Sequence, residues 1–191
     1  DWIKKIKMST DNIQRFTVSV YAENHIGLAG RLMQIFTRRK INIDSLTTSE
    51  SEIEGIYRFT IVIHVSKDNV IKVVNQIKKV VDVMTAFYFQ EEDVVYQEIA
   101  LYKIKSSTLL GSNVEKVVRR NSARILYVDQ EFTVIEKTGH KEETQELFEK
   151  LKPFGILEFV RSGRVAIARP MPNLHSWIEE VGLTDKFVVN S

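Results

Sequence analysis

Apolar residues recur at every second position from Phe16 to Ala22, with Phe16, Val18, Val20 and Ala22 on one side, and this period of two predicts a strand. The alternation breaks at Glu23-Asn24-His25-Ile26-Gly27. From Leu28 the period lengthens: Leu28, Leu32, Ile35 and Phe36 form one stripe, with Arg31, Gln34, Arg38 and Arg39 off it, which predicts an amphipathic helix. A second strand is predicted from Asn42 to Ser49. The polar run Glu50 to Gly55 turns it into a third, Ile56 to Val65, with Tyr57, Phe59, Ile61 and Ile63 on a shared face. Ser66 is a candidate N-cap for a helix whose stripe is Val70, Val73, Val74, Ile77 and Val81, and a fourth strand follows from Val83 to Gln90. The order strand-helix-strand-strand-helix-strand is that of a ferredoxin-like unit.

The pattern then starts again after the acidic run Glu91-Glu92-Asp93. Ile99 and Leu101 point one way, and Ala100, Tyr102 and Ile104 the other. Beyond a compact connection from Ser107 to Ser112, a short helix buries Val114, Val117 and Val118. Strands over 123–128 and 132–137 flank the turn Asp129-Gln130-Glu131, and a helix over 142–152 buries Leu147, Phe148 and Leu151. Pro153-Phe154-Gly155 stops that helix, Ile156 to Val160 closes the unit, and Val165 to Ala168 adds an edge strand. The expected architecture is an α+β two-layer sandwich of two βαββαβ domains, at 14–92 and 93–169, with a tail at 170–191. The tail carries Leu174, Trp177, Ile178, Val181, Leu183 and Phe187, the spacing of a short amphipathic helix lying on its own body, the default expectation, or on a partner.

One expectation concerns the first sheet. Met84, Ala86 and Tyr88 are read on the face opposite Val83 and Phe87. With both helices on one side, a semi-apolar second face implies cover by another sheet or subunit.

Composition narrows the function more than the fold. The 191 residues carry a net charge of +2 with both signs interspersed, which argues against nucleic acid as the main partner. No run is apolar enough to span a membrane, and Lys4, Lys5 and Lys7 precede no apolar core of a secretion signal. The chain has no cysteine, which removes disulfides and thiolate chemistry and fits a cytoplasmic location. His25, His64, His140 and His175 stand at no metal-binding spacing, and neither a nucleophile elbow nor a phosphate loop is present, so no catalytic or metal site is expected. Arg119, Arg120 and Arg124 read as a solvated helix side, and Arg38-Arg39-Lys40 as cations suited to a helix C-terminus. What remains is a polar loop feeding a helix start, where backbone N–H groups can hold a small anion such as an amino-acid carboxylate.

Several strings carry a resemblance. The run Ser19-Val20 through Glu23-Asn24-His25-Ile26-Gly27-Leu28 to Asn42-Ile43-Asp44-Ser45-Leu46-Thr47 resembles the N-terminal ACT domain of the small, regulatory subunit of acetohydroxyacid synthase, also called acetolactate synthase. Val81-Asp82-Val83, Glu98 to Ile104 and Glu158-Phe159-Val160-Arg161-Ser162-Gly163 extend the match over about Phe16 to Arg169. The resemblance implies a non-catalytic chain without a cofactor of its own, partnered with a large subunit that uses thiamine diphosphate, Mg and FAD. It implies activation of that subunit, feedback inhibition by valine or another branched-chain amino acid, and pairing of ACT domains into a homodimer or higher. The alternative reading is a free-standing ACT-type amino-acid sensor acting on a different enzyme.

The expected effector residues are Asn24, His25, Ile26, Gly27, Leu28 and Asn42. Gly27 lets the backbone approach a carboxylate, and Asn24 has the donor and acceptor to read an ammonium group. His25, Ile26 and Leu28 add backbone donors and apolar wall, while Asn42, by family placement, faces the loop of a second protomer. Val20 and Phe36 read as core. The family usually has glycine where this chain has Lys40, so a turn of altered shape is expected there.

Overall fold

The computed structural model describes residues 13–109, 113–169 and 174–182. Its Cα framework divides into two units, one of residues 1–95 with 166–191 and one of 96–165. In the first, β1 (Ile13–Glu23), α1 (Leu28–Arg38), β2 (Ile43–Glu50), β3 (Ile56–Ser66), α2 (Lys67–Ile77) and β4 (Val83–Gln90) follow the expected order. The sheet runs β2-β3-β1-β4, antiparallel throughout, so the first strand lies inside and β2 lies at an edge. Phe16, Val18, Val20 and Ala22 of β1 meet Leu28, Leu32, Ile35 and Phe36 of α1 and Val70, Val73, Val74 and Ile77 of α2 in one core. Val81 is not part of the α2 stripe. The helix stops at Ile77, and Val81 stands in the following turn at 91% exposure.

The second face of this sheet differs from the alternation. Ala22 pairs with Val83 and Tyr21 with Thr85, so Met84 is the extra residue of a bulge. An inserted residue inverts every side chain beyond it. Ala86 and Tyr88 therefore pack in the helix-side core, while Met84 and Phe87 lie on the far side. There they join Tyr21, Ile53 and Ile56 under α5 (Leu174–Glu180), whose Leu174 and Ile178 are each 1% exposed. The chain's own tail helix, rather than another sheet or subunit, covers this part of the face. Trp177 is partly buried against the same cluster and Val181 is largely exposed. Leu183 and Phe187, like Lys4, Lys5, Lys7 and the 110–112 part of the Ser107 to Ser112 connection, lie outside the described residues.

The second unit repeats the order with β5 (Val94–Lys105), α3 (Val114–Arg120), β6 (Arg124–Val128), β7 (Phe132–Gly139), α4 (Lys141–Leu151) and β8 (Ile156–Arg161). Its sheet runs β6-β7-β5-β8, with β9 (Val165–Ala168) also pairing with β5. Ala100, Tyr102 and Ile104 form the centre of its core with Val114, Val118, Ile135, Leu147 and Leu151. Tyr102 is fully buried, and its hydroxyl donates to the Thr144 carbonyl at 2.6 Å. That burial pushes its pKa up to about 12. The Arg161-Ser162-Gly163 string closes the unit: Ser162 Oγ accepts from the Ile99 N–H at 2.9 Å, and Arg161 donates to Gln145 at 3.1 Å. Arg124 is held by Glu136 through two bonds of 2.8 and 2.6 Å.

Candidate functional site

The Glu23–Gly27 loop leaves the end of β1 and is pinned at several points. The Glu23 N–H donates to the Asp82 carbonyl at 3.0 Å, and the Asn24 N–H to the Gly55 carbonyl at 3.4 Å. Gly27 caps α1 with φ 85°, a left-handed conformation that glycine adopts without strain. A Cβ placed there would meet nothing within 4 Å, so the approach to the helix start is open. The Arg31 N–H is the first to bond back along the helix, to the Gly27 carbonyl at 3.1 Å. Ahead of it, the first-turn N–H groups of Ala29 and Gly30 have no carbonyl one turn earlier inside the helix, and they sit at the positive end of its dipole.

Asn24 and Ile26 are exposed on this loop, with Ile26 projecting fully into solvent. Leu28 is different. Its side chain is 2% exposed in the core, and its N–H already donates to the His25 carbonyl at 3.2 Å. It orients the helix and leaves the wall of the loop to its neighbours. The His25 Nδ1 lies 3.0 Å from Asp82 Oδ1. Arg31, one turn into α1, donates to the other carboxylate oxygen. An ionised carboxylate only accepts, so His25 carries its proton on Nδ1. The Arg31 bond, aided by charge from Arg31 and His25, holds the Asp82 carboxyl below the usual carboxylate range. Asp82 and Arg31 thus brace the loop through contacts that periodicity does not reveal, because Asp82 is distant in sequence and sits in a turn. The only sign of it was the Val81-Asp82-Val83 string.

Asn42 stands elsewhere. It precedes Ile43, which pairs with Ile63, itself opposite Phe16, so Asn42 is at the end of the sheet where β1 begins. The loop is at the end where β1 finishes, and at about 3.3 Å per residue the two are more than about 20 Å apart within one chain. The structure therefore brings Asn24, His25, Ile26, Gly27 and Leu28 together and leaves Asn42 apart. Asn42 lines its own cavity of about 410 Å³ with Lys40, Asp44 and His64. There His64 Nδ1 donates to Asp44 at 2.6 Å, and its Nε2 accepts from Arg15 at 3.2 Å. Lys40 keeps φ 54°, so the turn retains the left-handed backbone despite its side chain, instead of changing shape. Two N–H bonds hold it: Lys40 to the Thr37 carbonyl at 3.0 Å and Ile41 to the Phe36 carbonyl at 3.0 Å.

Among the described residues no three His, Asp or Glu side chains are grouped to hold a metal ion, and no helix is long and apolar enough to cross a membrane.

Comparison with known proteins identifies the family. Residues 18–85 match the AHAS small subunit-like ACT domain family, and residues 97–170 match the family described as the small subunit of acetolactate synthase. The acetolactate synthase small subunit of Bacillus subtilis is 31% identical over 153 residues, covering 80% of this chain and 89% of that one. That of Mycolicibacterium smegmatis is 31% identical over 153 residues, covering 80% and 90%. The crystal structure of the Thermotoga maritima acetolactate synthase small subunit superposes with a TM-score of 0.75 at 26% identity, covering 84% of this chain and all of that one. Two domain matches in the right order, relatives spanned almost end to end and a shared fold through both units lead to one conclusion: this chain belongs to the acetolactate synthase small-subunit family.

Proposed function

We propose that this chain is the non-catalytic regulatory subunit of an acetolactate synthase, raising the output of a thiamine-diphosphate-dependent large subunit and lowering it when a branched-chain amino acid such as valine binds. The observation that carries the reading is the open helix start at Gly27, flanked by an exposed Asn24 and braced by Asp82. An amino-acid carboxylate is accepted by the first-turn N–H groups of Ala29 and Gly30 with help from the helix dipole. Asn24 offers its amide oxygen to the ammonium group, and Ile26 supplies apolar wall for a branched side chain.

The position of Asn42 argues for two chains per site. β2 is an edge strand running parallel to β1, so its start and the loop lie at opposite ends of the sheet. Antiparallel pairing of β2 with β2 of a second copy about a twofold axis carries the partner's Asn42 to the end that holds the loop. The edge is also satisfied by that pairing, which removes the hazard of unpaired strand hydrogen-bonding groups. Effector binding then bridges two protomers, and a change in how they pair is the natural route by which it reaches the catalytic subunit, at a typical coupling of about 1–3 kcal/mol.

The experiment is reconstitution. Purified large subunit mixed with this chain should co-purify with it and make acetolactate faster, and added valine should reverse the gain. Unchanged rates with and without valine would refute the proposal. Failure to co-purify, together with retained amino-acid binding, would favour a free-standing sensor instead.

A further inference from the structure

The first unit has a second cavity, on the sheet face turned away from α1 and α2, with a volume of about 380 Å³. Three aromatic side chains wall it. Tyr21 and Phe87 meet edge-on at 6.4 Å between ring centroids, and Phe89 lies 6.3 Å from Phe87. Ile167 adds an aliphatic wall, and Arg58 and Glu52 supply the charges.

Arg58 is the telling group. One guanidinium nitrogen donates to Ser19 Oγ at 3.2 Å, and the guanidinium lies 5.5 Å over the Tyr21 ring. Its Nε–H is buried without a hydrogen-bond partner, and among the described residues no carboxylate stands within ion-pair distance of it. That Nε–H is closed to a ligand; what the cavity offers an anion is the rest of the guanidinium, which lines it with its charge unbalanced by a carboxylate. The planar fork of arginine suits a carboxylate, and the aromatic walls suit an apolar body attached to it. A bare inorganic anion would leave those walls unused.

We infer that this cavity binds a small carboxylate with an apolar body of amino-acid size, its carboxylate on Arg58 and its body among Tyr21, Phe87 and Phe89. The volume is at the small end of ligand pockets and admits one such molecule. Glu52 on the same wall is placed to take an ammonium group, so an α-amino acid engages both Arg58 and Glu52, with His175 also lining the cavity, whereas a 2-oxo acid leaves Glu52 unengaged. Neither Asn24 nor Asn42 lines it, so this site is separate from the one at the start of α1.

Trp177 packs against the cluster that holds Tyr21, as Phe87 does, and serves as the reporter, with Trp2 the only other tryptophan. The full chain carrying Trp2→Phe is titrated with L-leucine, with 4-methyl-2-oxopentanoate and with inorganic phosphate, following Trp177 fluorescence. A saturable change is expected with the organic carboxylates and none with phosphate, and tighter binding of the amino acid would assign Glu52 its role. Arg58→Met should weaken binding at least about tenfold, with Arg58→Lys weakened less. Ala168→Leu, which narrows the cavity without touching Arg58, should also weaken it, each variant being checked for native circular dichroism. Combined Asn24→Ala and Asn42→Ala should leave this signal intact. Absence of saturation, equal saturation by phosphate, binding unchanged by Arg58→Met, or loss of the signal in the asparagine pair would overturn the inference. The titration needs no large subunit, so its outcome is independent of reconstitution.

Discussion

His25 Nδ1 lies 3.0 Å from Asp82 Oδ1, joining the loop after β1 to the turn before β4, while Arg31 takes the other oxygen of the same carboxylate. Three elements meet at one side chain. Asp82→Asn keeps its size and removes the charge, so the loop loses its brace but not its fold. Effector affinity should fall about two- to fivefold, the range of an exposed ion pair, as read by calorimetry. The folded carboxyl has the lower pKa, so the folded chain binds fewer protons than the unfolded one in that range. The contribution is complete above the ordinary aspartate range near about 3.9 and is lost as pH falls through the lowered folded value. The difference in Tm between wild type and Asp82→Asn should therefore be present at pH 7 and close in strong acid.

Lys40 holds φ 54° between α1 and β2. A side chain there costs about 1–2 kcal/mol in backbone sterics, partly offset by the greater unfolded-state freedom of glycine. Lys40→Gly should stabilise the chain by about 0.5–1 kcal/mol and raise Tm. A lower Tm would show that the lysine side chain makes a favourable contact that outweighs the strain.

Tyr102 tests the second unit. Its hydroxyl donates to the Thr144 carbonyl, which also belongs to the α4 ladder, so Tyr102→Phe removes one bond without orphaning the acceptor, at a cost of about 0.5–1.5 kcal/mol. The folded pKa is raised to about 12, so the folded chain keeps a proton that the unfolded chain loses near pH 10. The stability this group confers is whole below about pH 10 and declines as pH rises towards 12. In Tyr102→Phe the alkaline loss of stability should be shallower. A residual slope is expected from Tyr21, whose pKa is also raised by burial.

Ile178 is 1% exposed against Tyr21, Ile53 and Ile56. Ile178→Ala should destabilise the first unit by about 2 kcal/mol or more, seen as a lower denaturant midpoint followed by Trp177 fluorescence. An unchanged midpoint would mean that α5 adds nothing to that unit's stability.

The sequence made much of this legible because the cores follow simple periods. Leu28, Leu32, Ile35 and Phe36 share a helical face, and Ala100, Tyr102 and Ile104 a strand face, with no interruption between them. Met84 shows where the period fails. A bulge costs one residue and has no local signature, and it exchanged the faces of Ala86 and Phe87. The brace at Asp82 was hidden because a contact across 57 residues leaves no spacing to read. Val81 continued a helical stripe that the turn after Ile77 had already ended. The residues of the loop were legible as a cluster, but Leu28 belongs to the core, and the separation of Asn42 follows from strand order, which periodicity does not encode.

The most direct test uses two defective chains at once. Asn24→Ala and Asn42→Ala proteins are each added to the large subunit, alone and after being unfolded and refolded together, and acetolactate production is measured with and without valine. Each variant alone should activate the enzyme and resist valine. The mixture should regain inhibition, because a mixed pair holds one site with both asparagines intact. A mixture as insensitive as its components, or variants that fail to activate, would contradict a regulatory subunit whose effector site is shared between two chains.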